Sequence, residues 1–126
     1  MSIMPLATTL GIEFHEPAAD AVTATLEWRP ELCTTGDLMH GGAIMALADS
    51  AGGLCAFLNL PDGATGTSTI ESKTNFLRGV RGGTVTAVSK PLHKGRTVIM
   101  VETELTDTDG RLVAKVTQTQ TVLAPR

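Results

Sequence analysis

The run Met39-His40-Gly41-Gly42-Ala43-Ile44-Met45-Ala46-Leu47-Ala48-Asp49-Ser50-Ala51-Gly52-Gly53-Leu54-Cys55-Ala56-Phe57-Leu58 decides how this chain is read. Its length and spacing predict a helix over 41–58, ended by Asn59-Leu60-Pro61. Asp49 is the only charged side chain between Asp37 and Asp62. A helix that is apolar on nearly every face needs cover on all sides. A carboxylate inside one is expensive to bury as an anion. Asp49 is therefore the first candidate for chemistry. The run makes a poor membrane span, because it carries Asp49, His40 and four glycines and falls short of the roughly 20 apolar residues required.

Outward from this run the pattern changes to strand. A short helix at 4–10 and a short strand at 11–15 precede a turn at 16–20. Residues 21–28 alternate, with Val22, Ala24, Leu26 and Trp28 on one face. A loop spans 30–39, and another, rich in Pro and Gly, spans 61–66. Strands are expected at 67–77, 84–93, 97–106 and 112–123, with turns at Lys94-Gly95 and Asp109-Gly110. Pro91 requires an edge position or a bulge. The expected class is α+β: one domain over 1–126, an antiparallel sheet with a four-strand meander, curled around one helix. A second copy would cover the rest of that helix.

Composition narrows the function. Of 126 residues, 18% are charged and 42% apolar, a balance typical of globular chains. No basic residue precedes the short apolar start, so no signal peptide is expected. Cys33 and Cys55 form no ligand-like spacing and read as reduced thiols, consistent with a cytoplasmic location. The net charge is −3, yet from Ser72 to Val101 there is no acid, while Lys73, Arg78, Arg81, Lys90, Lys94 and Arg96 all fall there. A local basic zone on an acidic chain suits a small polyanion better than nucleic acid. Neither a metal nor a membrane has support.

The helix start His40-Gly41-Gly42 offers free backbone N–H groups beside residues with no Cβ, a place for an anion or a developing oxyanion. Asp49 follows Gly41 by eight residues, roughly 12 Å along the same helix. One helix cannot bring both to one scissile bond, whereas two antiparallel copies can. Acyl transfer fits: the Gly41 N–H polarises a carbonyl, and Asp49 attacks it or takes a proton from water.

His40-Gly41-Gly42, Asp49, the stretch Thr69-Ile70-Glu71 through Asn75-Phe76-Leu77-Arg78, and Lys94-Gly95-Arg96 together resemble the hotdog-fold thioesterases. The branch in question is typified by phenylacetyl-CoA and 4-hydroxybenzoyl-CoA thioesterases, and the likeness runs from about Leu10 to Leu123. It implies a sheet of five or six strands around one long helix, dimers that join their sheets, and tetramers built from two dimers. It further implies that Gly41 holds the thioester oxygen and that Asp49 is supplied by the other protomer. Thr69 would position water or the carboxylate, and His40 would orient the turn and border the thioester. Gly42 and Thr34 would join the substrate-binding set, with Arg78, Arg81, Lys94 and Arg96 as candidates for the CoA phosphates. Thr34 departs from the pattern, since many relatives carry Asn six residues before the motif His.

The expected activity is hydrolysis of an aryl- or medium-chain acyl-CoA to free acid and CoA, without a cofactor. Ala46, Ala51, Leu54, Leu58 and Phe76 are candidates for the acyl pocket. Two alternatives remain open: a hydratase or dehydratase using His40 and Asp49, and a non-catalytic acyl-CoA sensor.

Overall fold

A computed structural model describes residues 4–125. Helix α1 (Pro5–Leu10) leads into β1 (Glu13–Ala18) and β2 (Ala21–Glu27). Two 3-10 turns, Pro30–Leu32 and Thr35–Asp37, precede α2 (Gly41–Phe57). Strands β3 (Gly66–Phe76), β4 (Thr84–Lys94), β5 (Val98–Thr106) and β6 (Leu112–Leu123) complete the chain. The result is a six-stranded antiparallel sheet, ordered β1-β2-β4-β5-β6-β3, around one long helix.

The inner face of α2 is built from Ala43, Ile44, Leu47, Ala48, Ala51, Gly52, Cys55 and Ala56, all buried and spaced three or four apart. Small residues let the helix settle close to the sheet. There it meets Val22, Ala24, Leu26, Val85, Ala87, Ile99, Val101, Leu105, Val113 and Val116. Burying a side chain such as Leu47 contributes about 1.5–3 kcal/mol. Asn59 fastens the helix end, its Nδ2 donating to Cys55 O (2.8 Å) and to Ala19 O (2.7 Å) in the β1–β2 turn. The opposite face of α2 is open in the single chain, with Gly42, Met45, Asp49 and Phe57 exposed.

Two expectations are corrected. The turn expected at 16–20 shrinks to Ala19-Asp20: β1 runs on to Ala18 through a bulge at which Glu16 takes φ 44°. The four-strand meander is really three strands, β4-β5-β6, with β3 on the far side of β6. The cause is the route of the connection at 77–83. Leu77 and Arg78 both donate to Val113 O, and Met39 N donates to Val80 O (2.8 Å), so buried Val80 leads the chain past the start of α2. This delivers β4 to β2 instead of to β3. Pro91 sits at a bulge in β4, beyond Ser89, where pairing with β2 has ended.

Strand β3 closes the sheet on the β6 side. It pairs only with β6, which leaves an edge eleven residues long. Its register shifts between Thr69 and Glu71, so Ile70 bulges out and is exposed. The extra residue reverses the strand's parity. By register, Thr67 and Thr69 face the helix before the bulge, and Ser72, Thr74 and Phe76 face it after. Without the bulge Glu71 and Lys73 would point inward.

Candidate active site

The helix start is organised by a side chain folding back. His40 is the N-cap (φ −61°, ψ 135°), and its Nδ1 accepts the Gly42 N–H at 2.7 Å. Accepting at Nδ1 puts the proton of a neutral ring on Nε2. Ala43 and Ile44 donate to His40 O at 2.9 and 3.2 Å. Among the described residues the Gly41 N–H has no partner, which makes it the first-turn donor left to a ligand. The lack of a side chain matters most at Gly42 and less at Gly41. A Cβ at position 42 would lie 2.9 Å from His40 Nδ1, and one at 41 would lie 3.1 Å from Cζ of Phe76.

Asp49 lies two turns further along α2. It is exposed in the single chain, not buried as its apolar setting in the sequence suggests. Its Oδ1 accepts from Thr69 Oγ1 at 2.8 Å and from Gln118 Nε2 at 2.9 Å. Gln120 Nε2 donates to Thr69 Oγ1 at 2.6 Å, and Thr67 Oγ1 donates to Gln120 Oε1 at 3.0 Å. The chain of bonds has one sense, from Thr67 through Gln120 and Thr69 to the carboxylate. No bond from the described residues reaches Oδ2. Gln118 and Gln120 are buried, and Gln118 Oε1 has no partner among the described residues. An orphaned buried acceptor of this kind costs about 1–3 kcal/mol.

Beside Asp49 opens a cavity of about 680 Å³. Ser50, Gly53, Leu54 and Phe57 of α2 form one wall, residues 66–69 and Gln120 a second, and α1 with Met4 a third. Of the residues expected to line an acyl pocket, only Leu54 is in this wall. Ala51 is buried in the core, Phe76 covers Gly41, and Ala46 and Leu58 lie outside the cavity.

The remaining candidates divide by position. Thr34 is exposed in the loop before α2, which is stitched by Thr34 N to Leu38 O (2.7 Å) and His40 N to Leu32 O (2.8 Å). Arg78 follows β3 at the end of the sheet that holds the helix start. Arg81 is near it, in a 310 Å³ cavity with Gly79, Gly82 and the β5–β6 turn. Lys94, the last residue of β4, and Arg96, in the β4–β5 turn, lie at the opposite end, near Thr97 and Val122. None of these four cations forms an ion pair among the described residues. The described residues contain no cluster of three or more His, Cys, Asp or Glu able to hold a metal, and no helix long and apolar enough to cross a membrane.

Sequence reasoning missed Gln118 and Gln120, and offered Thr67 only as an alternative to Thr69. The signal was present: the inward positions Ala114 and Val116 continue as Gln118 and Gln120. Polar residues at core positions demand partners.

A family model described as the Thioesterase superfamily matches residues 36–114, a stretch that holds the helix start, Asp49 and β3 through β5. The chain belongs to that superfamily, and with this fold it is a hotdog-fold thioesterase. The solved structure of Rv1847 from Mycobacterium tuberculosis superposes with a TM-score of 0.93 at 29% identity, covering 98% of this chain and 99% of that one. The proofreading thioesterase EntH of Cronobacter turicensis is 34% identical over 110 residues, 87% of this chain and 80% of EntH. The 1,4-dihydroxy-2-naphthoyl-CoA hydrolase of Escherichia coli is 32% identical over 114 residues, 90% of this chain and 83% of that enzyme.

Proposed function

We propose that this thioesterase hydrolyses an acyl-CoA at a site shared between two copies of the chain. The Gly41 N–H of one copy would hold the carbonyl oxygen, and Asp49 of the other would activate water. The observation that carries this reading is the pairing of a partnerless N–H at Gly41 with an anchored, exposed carboxylate at Asp49 on the same open helix face.

Symmetry supports the sharing. Gly41 is backed by Phe76 near the end of β3, and Asp49 by Thr69 near its start. Exposed Met45 lies midway between Gly41 and Asp49, and Ser72 close to midway between Thr69 and Phe76. A two-fold axis passing these midpoints pairs the free β3 edges antiparallel and sets each Gly41 against the other copy's Asp49. It also satisfies an edge that would otherwise invite indiscriminate pairing. The same axis reverses the sheet ends, so Arg78 and Arg81 of one copy would lie toward the sheet end that carries Lys94 and Arg96 of the other. That combination suits the phosphates of CoA, and the naphthoyl-CoA hydrolase among the relatives supports CoA as the carrier.

In the reaction, a water oxygen bonds to the thioester carbon while Asp49 Oδ2 takes its proton. The carbonyl oxygen becomes negative against the Gly41 N–H, a stabilisation worth about 10²–10³ in rate at comparable sites. When that charge collapses back, the C–S bond breaks and the thiol of CoA leaves with the proton. Water is preferred to direct attack because Asp49 is the only titratable side chain that the described residues of one copy bring to the cavity, which leaves that wall without a second base to hydrolyse an anhydride. The hydratase reading is weaker, because His40 Nδ1 is already committed to Gly42.

Free-thiol release from benzoyl-CoA and octanoyl-CoA, wild type beside Asp49→Asn, tests the proposal. Turnover by wild type and a loss of about 10²–10⁴ in kcat are expected. Undiminished turnover in Asp49→Asn would overturn it. A single turnover in ¹⁸O-water should label the product acid; label withheld until later turnovers would instead mark Asp49 as the nucleophile.

A further inference from the structure

We infer that Gln118 is a positioning residue for Asp49, and that Gly52 is kept free of a side chain to house it. The inference rests on the role proposed for Asp49 and adds a part of the machinery at the far side of the carboxylate from the substrate. Both donors to the carboxylate converge on Oδ1, Thr69 from β3 and Gln118 from β6. Two anchors from two strands fix both the place and the rotation of the group. They leave Oδ2 as the working oxygen.

The Gln118 amide can be oriented only one way. Turned over, its Oε1 would face Asp49 Oδ1, two acceptors with no proton between them. The amide must therefore present Nε2 to Asp49 and leave Oε1 without a partner in the core. A buried glutamine that sacrifices one hydrogen bond to make another is a poor device for stability alone. Gly52 explains how it fits. It lies three residues after Asp49, buried, on the side of α2 facing β6. A Cβ there would overlap Gln118 Oε1 and come within 2.6 Å of its Cδ. Any other residue at 52 expels the amide.

Thr69 is fixed in the same manner. Its oxygen accepts from Gln120, so its own proton has to go to Asp49. The groups facing Asp49 are uncharged: Thr67 and Thr69 from β3, Gln118 and Gln120 from β6, Ser50 of its own helix, and the apolar wall of α1. With no cation among the described residues facing it, the carboxylate takes its orientation from neutral donors.

The test compares Gln118→Met, similar in length but without the amide, with Gly52→Ala and the double variant Gly52→Ala/Gln118→Ala. Steady-state hydrolysis of benzoyl-CoA and octanoyl-CoA is read together with the melting temperature. Gln118→Met should lower kcat by about 10- to 100-fold and leave KM within about threefold, as misplacement of a reacting group does. Gly52→Ala should show the same split with a lower melting temperature. In the double variant, melting should recover, since the methyl enters vacated space, while kcat stays low. Full kcat in a folded Gln118→Met overturns the proposal, as does recovery of kcat in the double variant. Should the variants fail to fold, the Gln118 side-chain amide resonance of wild type decides. It should be protected from exchange and should move on Asp49→Asn; no movement overturns the proposal. Loss of activity in Asp49→Asn alongside full activity in Gln118→Met sinks only this inference. Activity retained in Asp49→Asn sinks the reading beneath it.

Discussion

At the scale of the residue, Gly41 can be tested without disturbing the helix it begins. His40 has φ −61° and ψ 135°, a conformation open to a residue preceding proline. Proline is favoured at the first helical position, where its missing N–H would have no intrahelical partner. Gly41→Pro therefore deletes the proposed oxyanion donor and little else, provided the Phe76 ring gives by a few tenths of an ångström. Circular dichroism should be unchanged and kcat should fall about 10²–10³-fold. An unchanged kcat would mean that another group holds the carbonyl oxygen. The two cysteines lend themselves to a different measurement. Burial pushes the Cys55 thiol up to about 11. Cys33 is also raised, by burial first and then by the negative charges of Asp37 and Glu31. Thiolate is the reactive form. Buried Cys55 should react slowly with Ellman's reagent in the native protein near pH 8 and rapidly in guanidinium, with partly exposed Cys33 reacting ahead of it. Two fast thiols in the native protein would contradict the burial of Cys55 and raise the background of the thiol-release assay.

At the scale of the element, the β5–β6 turn carries its own acid dependence. Asp107 Oδ1 accepts the N–H of Arg111 (2.9 Å) and of Asp109 (3.0 Å), and Oδ2 accepts from the Arg111 guanidinium at 3.1 Å. The Arg111 N–H is the largest cause holding this carboxyl below its usual 3.8, and the nearby guanidinium charge adds to it. Because the folded state favours the anion, the turn stabilises the fold fully above the unfolded value and loses that contribution as pH falls through the folded one. Between about pH 5 and pH 2, wild type should lose more melting temperature than Asp107→Asn, which stays uncharged throughout. Parallel melting curves would argue against the turn. That turn was legible in the sequence as Asp109-Gly110, as were α2 and the strands around it, because alternation and turn residues are local signals. The place of β3 was not, since it depends on the path of residues 77–83. Nor was the bulge at Ile70, a backbone choice that decides whether Glu71 or Ser72 faces the helix. Within the site, His40-Gly41-Gly42 and Asp49 stood out because each is unusual in its surroundings. Gln118 and Gln120 were masked by the uniformly polar run Thr117-Gln118-Thr119-Gln120-Thr121, and only their shared parity with Ala114 and Val116 marks them as inward.

At the scale of the whole molecule, the question is whether one chain holds a complete site. Within a single copy, Gly41 and Asp49 sit two turns apart on a rigid helix, and no rotamer of Asp49 closes that gap. A second copy docked along β3 closes it twice, once on each side of the axis. Complementation between dead variants is the consequence of this geometry. Gly41→Pro removes the donor and leaves Asp49 intact; Asp49→Asn does the reverse. Each variant alone gives dimers with two defective sites. Random mixing gives mixed dimers as half of the population, and each of these has one site with both defects and one with neither. Activity should therefore recover to about a quarter of wild type after co-refolding or co-expression, growing with the mole fraction of the mixed species. Two inactive proteins that remain inactive together, while shown to exchange chains, would place donor and acid in the same copy and refute the shared site. Recovery would locate the reaction at the interface between the copies. The apolar residues Met45 and Phe57, exposed on α2 in one chain, would then be explained as the surface on which the second half of the active site arrives.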